Sequence, residues 1–302
     1  MYRWSHNPSG LPLAAPGTGL RRVICSAATG PHVKFLEKTL PILNAYAKRH
    51  GYDVVTFYPP TAKTHVPRWV ERSWLVGRWD RLLTRLLLAS MKRMPVSEKA
   101  LKHLPRSERV GCQVDRAVLF LLRALALCVV APTPPSWNKV TLIRKLIATY
   151  DLVVWVDADA VVVDLSRDIA SEFQTDKWLH IVEIQPPSWG THLNAGVFAV
   201  RSGPTTASFF REVAQLTPFK HHPWWEQAAM LHLLGYDLWP ARKARKTSYS
   251  DGVALIDKSW NSTPLDPSPA PRIKHYAGVD NESRSELIGQ DVARVTAAFR
   301  IR

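Results

Sequence analysis

Apolar positions recur along this chain in two alternating rhythms, one of strands and one of helices. Residues 21–28 open with the run Val23-Ile24-Cys25 and end at the turn signal Thr29-Gly30-Pro31, so they read as a first strand. Over 32–50, Val33, Leu36, Leu40, Leu43 and Ala47 recur at helical spacing, and Gly51 is a good stop. Pro41 falls inside that helix and is expected to kink it. Residues 52–58 read as a second strand, closed by Pro59-Pro60. Strand, helix, strand in such short order opens a parallel sheet.

The rhythm resumes at 136. Ser136 suits an N-cap for a helix to Thr149, with Trp137, Val140, Ile143, Leu146 and Ile147 inward. That helix delivers the chain into 150–163, an unbroken apolar run interrupted only by Asp157 and Asp159. A strand buried on both faces reads this way, whereas a half-exposed one alternates. Two carboxylates inside such a strand would cost several kcal/mol, so they belong at its carboxyl end, where open α/β sheets bind ligands. A short helix over 164–173 is expected next, then strands at 179–184 and 194–201. Helices follow over 204–215 and 223–234, each headed by proline, with Gly235 ending the second. Short strands at 253–256 and 272–276 and a polar helix over the last twenty residues complete the pattern. The expected fold is α/β, a mostly parallel central sheet flanked by helices.

Residues 61–135 break the pattern. They carry fourteen Lys and Arg against five Asp and Glu, most of the chain's net charge of +15. Between Trp69 and Met94, Leu75, Trp79, Leu82, Leu83, Leu86 and Leu87 form one stripe, and Arg78, Arg81, Arg85 and Lys92 another. Such a helix suits either a helical lid or a lid that also rests on an anionic membrane surface. The apolar stretch at 117–131 is shorter than the roughly 20 residues a spanning helix needs. Residues 1–19, with three prolines and no apolar core, read as a loose arm without a secretory signal. The chain is thus expected to divide into that arm, a main domain of 20–60 with 136–302, and the insertion 61–135.

The positive charge calls for an anionic partner. Because the excess lies mostly in the insertion, without aromatics interleaved across the main body, nucleic acid is not the expected one. Cys25, Cys112 and Cys128 are too few and scattered for a disulfide framework or zinc site, which fits a reducing, cytoplasmic location, peripheral at the inner face of a membrane if the insertion docks there.

Candidate chemistry centres on Asp157 and Asp159, which at a spacing of two can lean to one side and share a divalent cation with a diphosphate; the bland alternative is a solvated turn. Asn194-Ala195-Gly196 offers an amide beside a glycine that admits close backbone approach, or simply a β-bulge. Trp225 and Glu226 stand at a helix start, where Glu226 either offsets the helix dipole or points at a reacting carbon with Trp225 walling a sugar face. His275 is either a ligand completing a metal shell or a structural histidine. Lys139, Arg144, Lys274 and Arg284 are candidates to meet a diphosphate.

Together, Ser136-Trp137-Asn138-Lys139-Val140-Thr141-Leu142-Ile143-Arg144-Lys145-Leu146-Ile147 and Val154-Trp155-Val156-Asp157-Ala158-Asp159-Ala160 resemble the central block of the galactosyl/mannosyl/xylosyl transferase family. The resemblance continues through Tyr46-Ala47-Lys48-Arg49-His50-Gly51-Tyr52, Asn194-Ala195-Gly196-Val197-Phe198-Ala199-Val200-Arg201, Glu226-Gln227-Ala228-Ala229 and His275-Tyr276-Ala277-Gly278. It covers 21 to about 280 in the family's order, leaving 61–135 without a counterpart. It implies a GT-A (Rossmann-like) fold, a nucleoside-diphosphate sugar donor, a glycan or lipid-linked acceptor, Mn²⁺ (or Mg²⁺), and retention of anomeric configuration. Carried over, Asp159 and His275 are metal ligands, and Asp157 contacts the metal, its waters or the ribose. Asn194, Gly196 and Gln227 line the sugar pocket, and Glu226 is the carboxylate near the anomeric carbon, where family members more often carry Asp. Tyr276 and Val279 replace the usual Phe and Cys around the histidine. Two other readings compete: a nucleotidyltransferase acting on a sugar phosphate, and a non-catalytic membrane-surface or scaffold protein that retains the fold.

Overall fold

The computed structural model describes residues 3–6, 19–59 and 134–301, apart from 188 and 239. These all fall in one compact unit. The expected insertion 61–135 lies outside the described residues except for Pro134 and Pro135.

Strand β4 (Leu152–Val156) sits near the middle of the sheet, with all five residues buried. Val153 and Trp155 pack into one core, Leu152, Val154 and Val156 into the other. Side chains alternate between faces, so a strand covered on both sides shows no polar rhythm. Each fully buried valine there contributes about 1.5–3 kcal/mol. Val154→Asp would place an unpaired charge among apolar neighbours and break the sheet at its centre.

Around β4, seven strands pair in one sheet. Parallel neighbours on one side are β2 (Arg22–Ala27) and then β3 (Asp53–Tyr58). On the other side β7 (His192–Arg201) runs antiparallel, followed by β6 (Leu179–Ile184) and the edge strand β10 (Val253–Leu255). At the far edge β1 (Arg3–His6) pairs antiparallel with β3. Five of the seven strands thus share a direction, with β7 and β1 against them.

Helices cover both faces. On one lie α2 (Trp137–Leu146), α3 (Pro204–Gln215) and α4 (Trp225–Leu233). On the other lie α1 (Val33–His50) and α5 (Asn281–Phe299), which pack against each other. Helix α1 buries Phe35, Leu36, Ile42, Leu43, Tyr46 and Ala47, and turns Pro41 to the exposed side. It stops at Gly51, whose φ of 71° is the left-handed conformation a C-cap glycine adopts without strain.

Several expectations are corrected. Instead of a helix over 164–173 there is only a 3-10 turn, Ile169–Glu172. Asp164 accepts from the Ser166 N–H and Asp168 from the Ala170 N–H, each at or under 3.0 Å, and such side-chain bonds compete with helix. Ser136 stands before α2, but its hydroxyl makes no capping bond. Within the stretch expected to be a loose arm, Arg3–His6 forms β1, a pairing carried by backbone bonds that side-chain pattern does not announce. The small strands β5 (Ala160–Val162), β8 (Tyr236–Leu238) and β9 (Ala241–Lys243) were also unforeseen. Among the described residues, no helix is long and apolar enough to cross a membrane.

Candidate active site

The site forms where β4 ends. Asp157-Ala158-Asp159 is a turn, closed by the Ala160 N–H donating to Asp157 O at 3.0 Å. The Asp157 N–H donates to Gly196 O at 2.8 Å, and the Tyr276 N–H donates to Asp159 O at 3.1 Å. Beyond the turn, β5 pairs antiparallel with β11 (Ile273–His275) in a register that sets His275 opposite Ala160. This pairing carries the imidazole to the two carboxylates. One ligand atom from each of Asp157, Asp159 and His275 lies within 4.8 Å of the others. His275 Nε2 stands 3.6 Å from Asp157 Oδ2 and 3.5 Å from Asp159 Oδ1.

Gly196 makes room for the histidine. A Cβ at that position would meet His275 Cε1 at 2.0 Å and Nδ1 at 2.2 Å. The β6–β7 register jumps here, with Ile181 opposite Phe198 and Val182 opposite Asn194, so residues 195–197 bulge from the ladder. The bulge is present, and the glycine is required by the close approach of an imidazole of the chain itself.

Two cations support the carboxylates. Arg284, in the first turns of α5, places Nη1 3.1 Å from Asp159 Oδ2. Burial pushes the Asp159 carboxyl up, but the hydrogen bond and charge of His275 and the guanidinium of Arg284 outweigh it and hold the group below the usual carboxylate range. On the other side, Lys139 Nζ donates to Ala195 O and Glu226 Oε1, both at 2.8 Å, and lies 3.2 Å from Asp157 Oδ1. Burial would depress this ammonium; Asp157 and Glu226 overcome that and raise its pKa. Glu226 is only 4 % exposed, and its second oxygen, Oε2, has no partner. Three carboxylates are thus set against the fixed charges of Arg284 and Lys139, with His275 Nε2 between the two aspartates. Two carboxylates and one imidazole nitrogen facing a common point fit a hard divalent cation such as Mn²⁺ or Mg²⁺.

No family model matches the chain, and no curated protein matches it. Among solved structures it is similar to a glycosyltransferase involved in the glycosylation of the major capsid of PBCV-1, at 13% identity, TM-score 0.52, over 89% of this chain and 99% of that one. Weaker likenesses are the galactosyltransferase LgtC, in complex with donor and acceptor sugar analogs (13% identity, TM-score 0.43, 88% and 95% covered), and mouse xyloside xylosyltransferase 1 (10%, 0.37, 86% and 98%). The chain has a GT-A-like fold. At these identities the likeness speaks to the fold alone.

Within the GT-A-like fold, most candidates converge on the carboxyl edge of β4. Asn194 Oδ1 accepts from the Gly196 N–H at 2.9 Å, and Gln227 Oε1 accepts from the Ala195 N–H at 2.9 Å, so both amides brace the bulge. Trp225 opens α4 with a strained φ of 42° and is 47 % exposed.

The basic candidates fare differently. Lys139 has its three N–H groups aimed at three protein oxygens. Lys274, adjacent to His275 on β11, points to the opposite face and pairs with Asp291 at 3.0 Å. Arg144 is exposed in the last turn of α2, where it offsets the helix dipole; five residues from Lys139, it faces about 140° away. The expectation that these three meet a diphosphate is therefore not supported, because two are committed to carboxylates of the chain and one faces elsewhere. Arg284 is committed to Asp159. Sequence reasoning missed Asn261, fully buried between Asn194 and His275. Its only signal was the large apolar Trp260 beside it in an otherwise polar segment.

Proposed function

We propose that this protein is a metal-dependent retaining glycosyltransferase of the galactosyl/mannosyl/xylosyl type. It would move a hexose or pentose from a UDP- or GDP-linked donor to a glycan or glycolipid acceptor. The observation that carries this reading is the convergence of Asp157, Asp159 and His275 at the carboxyl end of the central strand, beside the buried Glu226. A bound Mn²⁺ or Mg²⁺ would neutralise charge on the departing diphosphate, with these three residues holding it.

The chain's own residues do the rest. Arg284 fixes one oxygen of Asp159 and leaves the other toward His275. Lys139 locks Asp157 to Glu226, so that the acid and the metal-side carboxylate keep one spacing. Glu226 Oε2, buried and unpartnered, is the oxygen left for the sugar, where a fixed negative charge stabilises positive charge developing at the anomeric carbon. Lys139 engages the other oxygen and so dampens Glu226 as a nucleophile, which favours same-face departure over double displacement. Exposed Trp225 beside Glu226 offers an apolar wall for a sugar face. For the insertion 61–135, outside the described residues, the proposed role stays that of the sequence: a lid, or a lid that also rests on an anionic membrane surface at the cytoplasmic face.

Calorimetry with UDP and GDP, with and without Mn²⁺, tests the reading, together with Mn²⁺-dependent hydrolysis of a nucleotide-sugar panel. Asp159→Asn is expected to lower turnover by about three orders of magnitude, the scale of a several-kcal/mol electrostatic contribution. Metal-independent nucleotide binding, with Asp159→Asn as active as wild type, would sink it.

A further inference from the structure

The buried polar atoms around the site form a chain of hydrogen bonds that passes through one residue. Asn261 ends a 3-10 turn, Lys258–Asn261, and is fully buried. Its Nδ2 donates to Asn194 Oδ1 at 2.9 Å and to Asn194 O at 3.1 Å. Two oxygens on one side fix the amide, because the reverse orientation would set oxygen against oxygen. Asn261 Oδ1 must then face His275 Nδ1, 3.0 Å away, and can only accept from it. The proton is thereby held on Nδ1. Nε2, 3.6 Å from Asp157 and 3.5 Å from Asp159, is then the nitrogen that a cation held between the two carboxylates would meet.

On the other side, Asn194 Oδ1 is consumed by Asn261 and by the Gly196 N–H. Asn194 thereby joins the Asn261 amide to the backbone of the bulge. We infer that Asn261 is a positioning residue that sets the histidine tautomer for a divalent cation and, through Asn194, couples that cation to the sugar pocket. The inference rests on the metal-centre reading of the preceding subsection and adds to it a residue that touches neither metal nor sugar.

The test uses the full chain and Mn²⁺ alone, with free Mn²⁺ read by electron paramagnetic resonance. Asn261→Leu is expected to weaken Mn²⁺ binding about 10–100-fold, the usual cost of losing an outer-shell partner. Asn261→Asp keeps an acceptor for Nδ1–H but repels the Asn194 oxygens. It should therefore hold Mn²⁺ within a few-fold of wild type while losing the preference for nucleotide sugar over free nucleotide. Val213→Ala, in the α3 core, controls for general loss of stability.

Equal losses in Asn261→Leu and Asn261→Asp, or wild-type Mn²⁺ affinity in Asn261→Leu, would overturn the inference and leave the metal reading standing. A wild type that binds no Mn²⁺ removes both. A measurement without any variant guards against misfolding. In long-range ¹H–¹⁵N spectra of the Cd²⁺-loaded wild type, the proton should reside on His275 Nδ1 and the metal coupling on Nε2. The opposite assignment refutes the proposal.

Discussion

Two polar clusters, one half-buried and one largely buried, lie at opposite ends of the same central strands, and they are made of similar residues. At the amino end, Arg22 Nη1 donates to Asp168 Oδ2 at 2.8 Å, Tyr52 OH to Asp168 Oδ1 at 2.6 Å, and the Ala170 N–H to the same oxygen at 3.0 Å. Arg22 also reaches His50 O and lies over the Tyr52 ring, while Tyr46 OH joins Arg167 O to the Ile169 N–H. Each of these charged and hydroxyl groups is paired within the chain. At the carboxyl end, two carboxylates and an imidazole nitrogen converge, and Glu226 Oε2 has no hydrogen-bond partner. A satisfied network locks the fold; one with like groups converging carries a cost that a ligand can relieve. The difference between scaffold and site therefore lies in leftover valence rather than in residue type.

The comparison can be broken most forcefully at Lys139. Lys139→Met strands two acids, and unfolding should lose about 3–5 kcal/mol, read as a drop in the urea midpoint. Adding Glu226→Met should recover a good part of that stability without restoring activity. No recovery would mean that Lys139 is held by packing rather than by charge.

A second effect concerns an orphan atom that is not a site. His180 is fully buried on β6, accepts from the Gln174 N–H at 2.9 Å through Nε2, and leaves Nδ1 unpartnered. Burial pushes its pKa down to about 4. Because the folded value is depressed, the unfolded chain takes up the proton first. Stability is fully present above the unfolded value near 6.5 and is lost as pH falls toward 4, by on the order of 3 kcal/mol. His180→Gln should flatten urea midpoints across that window while leaving metal binding untouched. An unchanged slope would show that another group drives the acid loss.

Next comes the saturated cluster. Asp168→Asn replaces an acceptor of three bonds and should cost about 1–3 kcal/mol in stability, with Mn²⁺ affinity and turnover as in wild type. A loss of activity at full stability would contradict the division between the two ends. The smallest change is expected at Trp225. Trp225→Ala should raise the acceptor KM by up to about tenfold, the worth of one aromatic contact, and barely shift Tm. Trp225→Gly should exceed Trp225→Ala in stability by about 1–2 kcal/mol, since glycine alone accepts a left-handed φ without strain. Equal midpoints for the two would remove the strain.

Much of this was legible in the residues themselves. The unbroken run before Asp157 announced a strand covered on both faces, and β4 is one. The cost of burying two carboxylates placed both at its end, and the Asn194-Ala195-Gly196 motif marked a real bulge. What misled was charge. Lys139, Lys274 and Arg284 read as candidates to meet a diphosphate because a linear chain shows a cation without its partner, and each partner here lies more than fifteen residues away. Asn261 left almost no trace, since a buried asparagine is recognised only by what surrounds it.

Periodicity, turn residues and the position of the acidic pair, all local properties, determined the α/β class, and the resemblance to a transferase family drew Asn194, Gly196, Glu226, Gln227 and His275 to that pair as candidates. Tertiary structure decided how those residues are used. The register of β5 on β11 brought His275 to the aspartates, and the packing of α2 against α4 turned a candidate phosphate ligand into the lock between two acids. Strand pairing and helix packing join segments distant in sequence, so the partner of a charge is set by the fold and not by its neighbours along the chain.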